Sequence, residues 1–303
     1  MNCNDLPNLI LGGTNKAGTT SVFRYLSDHP EVCGSNVKET GFFVDNYSGV
    51  IDQDRKALGK YFSHCSAEKK IRVEASTSYL ALGEVAIPRI QELLDEPRIL
   101  FILRSPIDRI YSYFNFHSSH LAIPQSISFE QYLQLCQKYD ARKIDAKSAP
   151  FDEWHLKALA FGKYSRFLNR YTKAFPADHV KTMFFDDLKR DPESFMKEVS
   201  KYTGIDTAFY DGYHFTKANV TFSSSHQGMH RFAILLNRKL ERFLRQRPAI
   251  KSKLVSAYKS INAAEHGYNQ MLPETKALLR DYYAGSNSEL AKMINRPLPD
   301  RWL

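Results

Sequence analysis

Two groups of residues have the types and spacing to hold a phosphorylated ligand. The first is Gly12-Gly13-Thr14-Asn15-Lys16-Ala17-Gly18-Thr19-Thr20-Ser21, which follows an apolar run and leads into a helical pattern. A strand, a glycine-containing loop and a helix N-terminus in that order bring unpaired backbone N–H groups together at the positive end of a helix dipole, which favours phosphate. Gly13 and Gly18 have the spacing of a nucleotide-hydrolysing P-loop, but that motif places its lysine directly after the second glycine. Here Thr19 stands at that position and the lysine, Lys16, lies inside the loop. The second group is Arg104-Ser105-Pro106-Ile107-Asp108-Arg109-Ile110-Tyr111-Ser112-Tyr113. Arg104 ends an apolar strand pattern and Ser112 falls two turns into the helix that follows. A guanidinium fork and a hydroxyl suit a phosphate monoester dianion. Taken alone, Arg104 would read as a strand-end charge and Ser112 as a helix surface residue.

The elements that must position these groups are short apolar runs alternating with helical patterns. Residues 8–12, 71–74, 98–103 and 181–185 read as strands. Residues 20–28, 84–94, 106–117, 193–202 and 273–293 read as helices. This alternation predicts an α/β fold, a P-loop-type parallel sheet flanked by helices, with a helical C-terminal part. Residues 45–65 and 119–154 read as excursions from the sheet. No repeat or convincing boundary interrupts the 303 residues, so 1–303 is expected to be a single domain.

Composition narrows the class. The 43% hydrophobic content argues against disorder, and no apolar run approaches the roughly 18 residues of a membrane span. The first residues, Met1 to Asp5, lack the pattern of a signal peptide. Cys3, Cys33, Cys65 and Cys136 are widely spaced, which excludes a zinc ribbon, argues against a disulfide scaffold and fits a cytoplasmic protein. No metal cluster is evident. The net charge of 42 − 33 = +9 is local: residues 217–260 hold ten basic residues and one acid, Glu241, and the rest of the chain sums to zero. Such a segment suits a polyanion or is simply a solvated helix face.

The segment Lys16-Ala17-Gly18-Thr19-Thr20-Ser21 resembles the 5′-phosphosulfate loop of sulfotransferases that use 3′-phosphoadenosine 5′-phosphosulfate (PAPS), whose pattern is K-x-G-T-T/S. The Arg104–Tyr113 segment resembles the 3′-phosphate motif of the same family. The resemblance implies that Lys16, Ala17, Gly18, Thr19, Thr20 and Ser21 bind the 5′ side of PAPS, that Arg104 and Ser112 grip its 3′-phosphate, and that Arg109 is structural or a supporting partner. Lys38-Glu39-Thr40-Gly41-Phe42-Phe43 resembles the K-E-x-x-F-F segment of glycosaminoglycan-type sulfotransferases, where the glutamate removes the acceptor's proton. Glu39 is thereby implied as base and Lys16 as the stabiliser of the leaving phosphate. His117 and His120 are the rival bases, by likeness to small-molecule enzymes. Val73-Glu74-Ala75-Ser76-Thr77-Ser78-Tyr79 resembles a V-E-K-[ST]-x-x-Y element in which the usual lysine is replaced by Ala75. Lys38 could supply that charge, and Lys38 and Glu74 are the implied acceptor-side residues. Phe184-Phe185-Asp186-Asp187-Leu188 resembles a segment of cytosolic sulfotransferases whose aromatic side chain approaches the adenine, a place Phe185 could take by stacking. Lys217 and Arg231 fall where the family sets a basic loop over the cofactor.

The expected activity is sulfuryl transfer from PAPS, leaving the bisphosphate PAP, to a hydroxyl and less readily an amine of a small-molecule or glycan acceptor. No nucleic-acid partner is expected. Two other classes compete. A P-loop kinase or hydrolase is disfavoured by the position of Lys16 and by the lack of an apolar strand ending in an Mg²⁺-binding Asp. A nucleic-acid or membrane-surface binder would rest on the basic helical pattern at 238–247, which no nucleic-acid motif accompanies.

Overall fold

The structure, a computed structural model, describes residues 6–44, 54–216, 223–224, 263–264 and 270–303. The chain divides into two compact units: Met1–Ile110, Phe161–Asn219 and Ala277–Leu303 in the first, Tyr111–Ala160 and Val220–Lys276 in the second.

The first unit is built on five parallel strands: β1 (Leu9–Gly13), β2 (Val32–Gly34), β3 (Ile71–Ala75), β4 (Arg98–Leu103) and β5 (Val180–Phe184), in the order β2-β3-β1-β4-β5. Helices connect them: α1 (Thr19–Ser27), α2 (Arg55–Gly59), α3 (Gly83–Leu93) and the start of α4 (Pro106–Ser119). β1 is buried at every position. That is why Leu9-Ile10-Leu11 is an unbroken apolar run, as a parallel strand covered on both faces requires. Alternate residues feed opposite faces. Ile10, Ile99, Phe101 and Leu103 enter one apolar cluster, and Leu9, Leu11, Leu100 and Ile102 enter the other. Each such side chain, fully buried, contributes about 1.5–3 kcal/mol relative to exposure. Gly12 is dictated by packing, since a Cβ there would stand 2.5 Å from Cε1 of Phe101.

The basic helical pattern at 238–247 lies outside the described residues; the other predicted helices and strands fall within one or two residues of the observed ones, with one correction. The strand expected to include Phe185 ends at Phe184, and Phe185 opens a helix (residues 185–190), so its side chain leaves the sheet. The short strand β2 was not anticipated; its three residues are too few to show a period.

A second correction concerns the cysteines. Cys33 and Cys65 form a disulfide with Cα atoms 5.9 Å apart. Thirty-two residues separate them in sequence, but β2 and the turn after α2 meet in space. Spacing along the chain carries no information about that meeting.

In the second unit, part of the expected excursion at 119–154 is helical. Helix α5 (Phe129–Asp140) starts with a capping box in which Ser128 and Gln131 satisfy each other's backbone N–H groups. A short helix, α6 (Glu153–Lys157), places His155 so that its Nδ1 lies 2.7 Å from the Tyr113 hydroxyl. Two-residue strands at 223–224 and 263–264 pair antiparallel. The final helix, α7 (Pro273–Met293), which belongs to the first unit from Ala277 onward, matches the expected span. No helix among the described residues is long and apolar enough to cross a membrane.

Candidate active site

The order β2-β3-β1-β4-β5 makes the connections from β1 and β3 leave on opposite sides, and open parallel sheets bind ligands at the carboxyl ends of strands at such a point. The loop after β1 and Arg104 after β4 both lie there.

The loop is shaped by backbone conformations that few residues accept. Lys16 has φ 63° and Gly18 has φ 77°, both left-handed. Gly18 is also forced by space: a Cβ would lie 2.7 Å from Cε2 of Phe185 and 2.9 Å from Cδ2 of Leu188. Gly18 provides no side-chain cap for α1. The amides of Thr19 and Thr20, at the first turn, have no intrahelical carbonyl to bond. Ala17 and Thr19 are buried beneath the loop, and Ser21 donates its amide to the Gly18 carbonyl at 2.9 Å.

Arg104 braces this loop. Its Nη1 donates to the Lys16 carbonyl at 2.9 Å, and its guanidinium lies 5.3 Å from the centroid of the Phe185 ring. Tyr164 donates to the Arg104 carbonyl at 2.8 Å. The buried Nε of Arg104 has no protein partner. Arg109, fully buried, donates to Oδ1 of Asn15 at 3.1 Å and so holds the loop from below. Burial, and then the charge of Arg104, pull the Lys16 ammonium down to about 8. Two cations held close, a buried N–H without an acceptor and first-turn amides with no intrahelical acceptor fit a polyanionic phosphate ester.

Beside the loop stands a carboxylate pair. Glu39, with φ 63°, donates its amide to the Ala75 carbonyl at 2.8 Å. Its Oε2 accepts from the Thr77 amide at 2.8 Å and from the Thr77 hydroxyl at 3.2 Å, while Lys38 pairs with Oε1. The Glu39 side chain is 45% exposed and that of Lys38 is 16% exposed, so the carboxylate remains open to an incoming molecule. Thr77 links this group to the phosphate loop, because a Cβ on Gly13 would come within 3.0 Å of its carbonyl oxygen. Glu74 lies beneath. Its Oε1 accepts from Thr40 Oγ1 at 2.6 Å and Ser76 Oγ at 2.7 Å, and its Oε2 is buried without a partner. Burial pushes its pKa up to about 7 despite those hydrogen bonds. Ser76 accepts from the Gly41 amide at 2.9 Å, so Glu74 pins the turn that carries Glu39.

Of the residues singled out in sequence, the structure therefore gathers Lys16 to Ser21, Arg104 and Phe185 around one loop, and Lys38, Glu39 and Glu74 around Thr77. Ser112 lies in the second unit, on α4. His117 and His120 also lie there, among the rings of Tyr113, Phe116 and His155. Lys217 and Arg231 lie outside the described residues. Asn15, Thr40, Thr77 and Tyr164 escaped the sequence reading. They are ordinary polar residues, and only their contacts mark them.

Residues 6–230 match the family described as the sulfotransferase domain. The chain belongs to that family. Among its relatives, this sulfotransferase domain is 26% identical to the bifunctional heparan sulfate N-deacetylase/N-sulfotransferase 3 of Mus musculus over 99% of the chain and 31% of that protein. It is 25% identical to the Mus musculus N-deacetylase/N-sulfotransferase 1 over 96% of the chain and 30% of that protein. The chain thus spans about a third of the length of these relatives. In fold it is similar to a sulfotransferase from Alicyclobacillus acidocaldarius, with a TM-score of 0.66, 21% identity and 98% of each chain covered.

Proposed function

We propose that this sulfotransferase domain transfers the sulfuryl group of PAPS to a hydroxyl or amine of a glycan acceptor. The observation that carries the reading is Lys16, held in a left-handed loop conformation with its pKa lowered to about 8 by burial and by the charge of Arg104, where an arriving anion would stabilise its charged form. PAPS supplies a sulfuryl group on a phosphate leaving group.

Lys16 and the first-turn amides of α1 would meet the negative charge that grows on the phosphate oxygen as its bond to sulfur breaks. Glu39 would take the proton of the acceptor O–H or N–H as the new bond to sulfur forms in line. Thr77 would keep Oε2 of Glu39 turned toward the loop. Ala17 to Ser21 would hold the 5′ side of PAPS, Arg104 and Ser112 its 3′-phosphate, and Phe185 would stack near the base. Lys38 and Glu74 would stand on the acceptor side, with Lys38 offering the charge that Ala75 lacks. Lys217 and Arg231 would cover the cofactor, as the resemblance to the family's basic loop implies.

The glycan assignment is supported by the Lys38-Glu39-Thr40-Gly41-Phe42-Phe43 segment and by relatives named for heparan sulfate N-sulfation. Treating 1–303 as one catalytic domain is supported by a family match that runs through segments of both units. A cytoplasmic location belongs to the same proposal, and there Cys33 and Cys65 would stand as thiols. Protein unfolded without reductant would then titrate as four thiols, and as two if the disulfide persists.

The test is calorimetric titration with PAP. The chain should bind it, prefer it to ATP with Mg²⁺, and lose at least about tenfold in affinity on Arg104→Ala, since a charge-assisted hydrogen bond is worth about 1.5–3 kcal/mol. Tighter binding of ATP with Mg²⁺ than of PAP would refute it.

A further inference from the structure

The cluster outside the phosphate loop with the strongest chemistry of its own is Cys33, His64 and Cys65. Cys33 lies on β2 and is 8% exposed, while His64 is exposed at the turn that ends in Cys65. Nε2 of His64 is 3.5 Å from Sγ of Cys33 and 3.9 Å from Sγ of Cys65. One donor atom from each residue falls within 4.8 Å of the others. We propose that, with the disulfide reduced, these three residues bind one Zn²⁺, so that the same position is a covalent link under oxidising conditions and a metal link under reducing ones.

The geometry fits the ion. Zn–S bonds of about 2.3 Å and Zn–N bonds of about 2.1 Å at tetrahedral angles set N···S edges of about 3.6 Å and an S···S edge of about 3.8 Å. The imidazole already stands at the N···S edge from both sulfurs. The Cα atoms, 5.9 Å apart, allow the sulfurs to separate by side-chain rotation. Two thiolates and an imidazole favour Zn²⁺ over the hard ions Mg²⁺ and Ca²⁺. Water completes the fourth position, and the exposed His64 edge is the way in.

The chemistry balances with a dithiol as reductant. It passes two electrons and two protons to the Cys33–Cys65 bond and becomes a disulfide itself. Zn²⁺ then displaces the two thiol protons, and both thiolates neutralise its charge. In either form β2 is tied to the turn after α2, a few residues ahead of Lys38 and Glu39. Sequence spacing conceals the set because Cys33 stands 31 residues before His64.

The experiment loads the full chain with Zn²⁺ after reduction by dithiothreitol, desalts it and challenges it with a chromophoric chelator. The reduced chain should keep one equivalent; the oxidised chain and Cys65→Ser should keep none. His64→Ala should bind at least about tenfold more weakly, because even changes outside the ligand set cost 10–100-fold. His64 is exposed, so this variant should fold, and the oxidised wild type serves as a control free of any substitution. Co²⁺ in place of Zn²⁺ should give a thiolate charge-transfer band in the reduced wild type only. A reduced chain that yields its zinc as readily as the oxidised one, or a His64→Ala chain that holds it as tightly as wild type, overturns the proposal.

Discussion

Lys16 ties the chemistry to pH in a definite direction. Its ammonium titrates near 8 in the free chain, so kcat/KM should fall along a limb centred near pH 8 as the charge needed for the leaving phosphate is lost. A profile flat to pH 9.5 would remove Lys16 from that role. Glu39→Gln should cut kcat by about 10²–10⁴-fold with little effect on PAP affinity, the mark of a lost proton acceptor rather than a lost binding contact. Glu74 makes its prediction through stability. Its pKa rises from an ordinary 4.5 to about 7 on folding, so the folded chain holds the proton more tightly. That stabilisation is complete below pH 4.5 and is lost as pH climbs through 7. Between pH 5 and 8 the wild-type melting temperature should therefore fall relative to Glu74→Gln, by an amount on the order of a few degrees.

The β1–loop–α1 element shows what sequence can and cannot reveal. The apolar run at 9–11, the loop glycines and the displaced Lys16 are all local, and each was readable as a strand, a turn and a phosphate site. The partners that make the loop work are distant in sequence. Asn15 is held by Arg109, Lys16 by Arg104, Gly18 by Phe185 and Gly13 by Thr77, and none of these pairings leaves a period or a spacing to read. The Cys33–Cys65 bond is hidden in sequence for the same reason, and β2 because its three residues are too few to show a period. Gly18→Ala tests the element as a unit. The added methyl would press on Phe185 and Leu188 at a left-handed φ, so the variant should lose about 1–3 kcal/mol of stability by denaturant titration and a larger share of its PAP affinity.

Across the chain, the fold class was legible because parallel strands buried on both faces leave unbroken apolar runs. The closing role of the last residues was not. Trp302 is fully buried, its ring centroid 5.0 Å from that of Phe184, and its indole N–H donates to Asp186 at 3.2 Å. Trp302→Ala should therefore cost about 3–5 kcal/mol in a chemical denaturation. The +9 charge also has its address only in sequence, since residues 217–260 fall almost entirely outside the described part. The central claim, that this is a PAPS-dependent sulfotransferase working through Lys16, is met most directly by turnover. Isotopically labelled PAPS is incubated with a panel of glycan hydroxyls and amines, and the products are read by mass spectrometry for wild type and Lys16→Ala. The expected result is a sulfated acceptor from the wild type, with the rate reduced by about 10²–10³-fold in the variant. Full activity in Lys16→Ala, or no sulfated product from any acceptor while PAP binds, would contradict it.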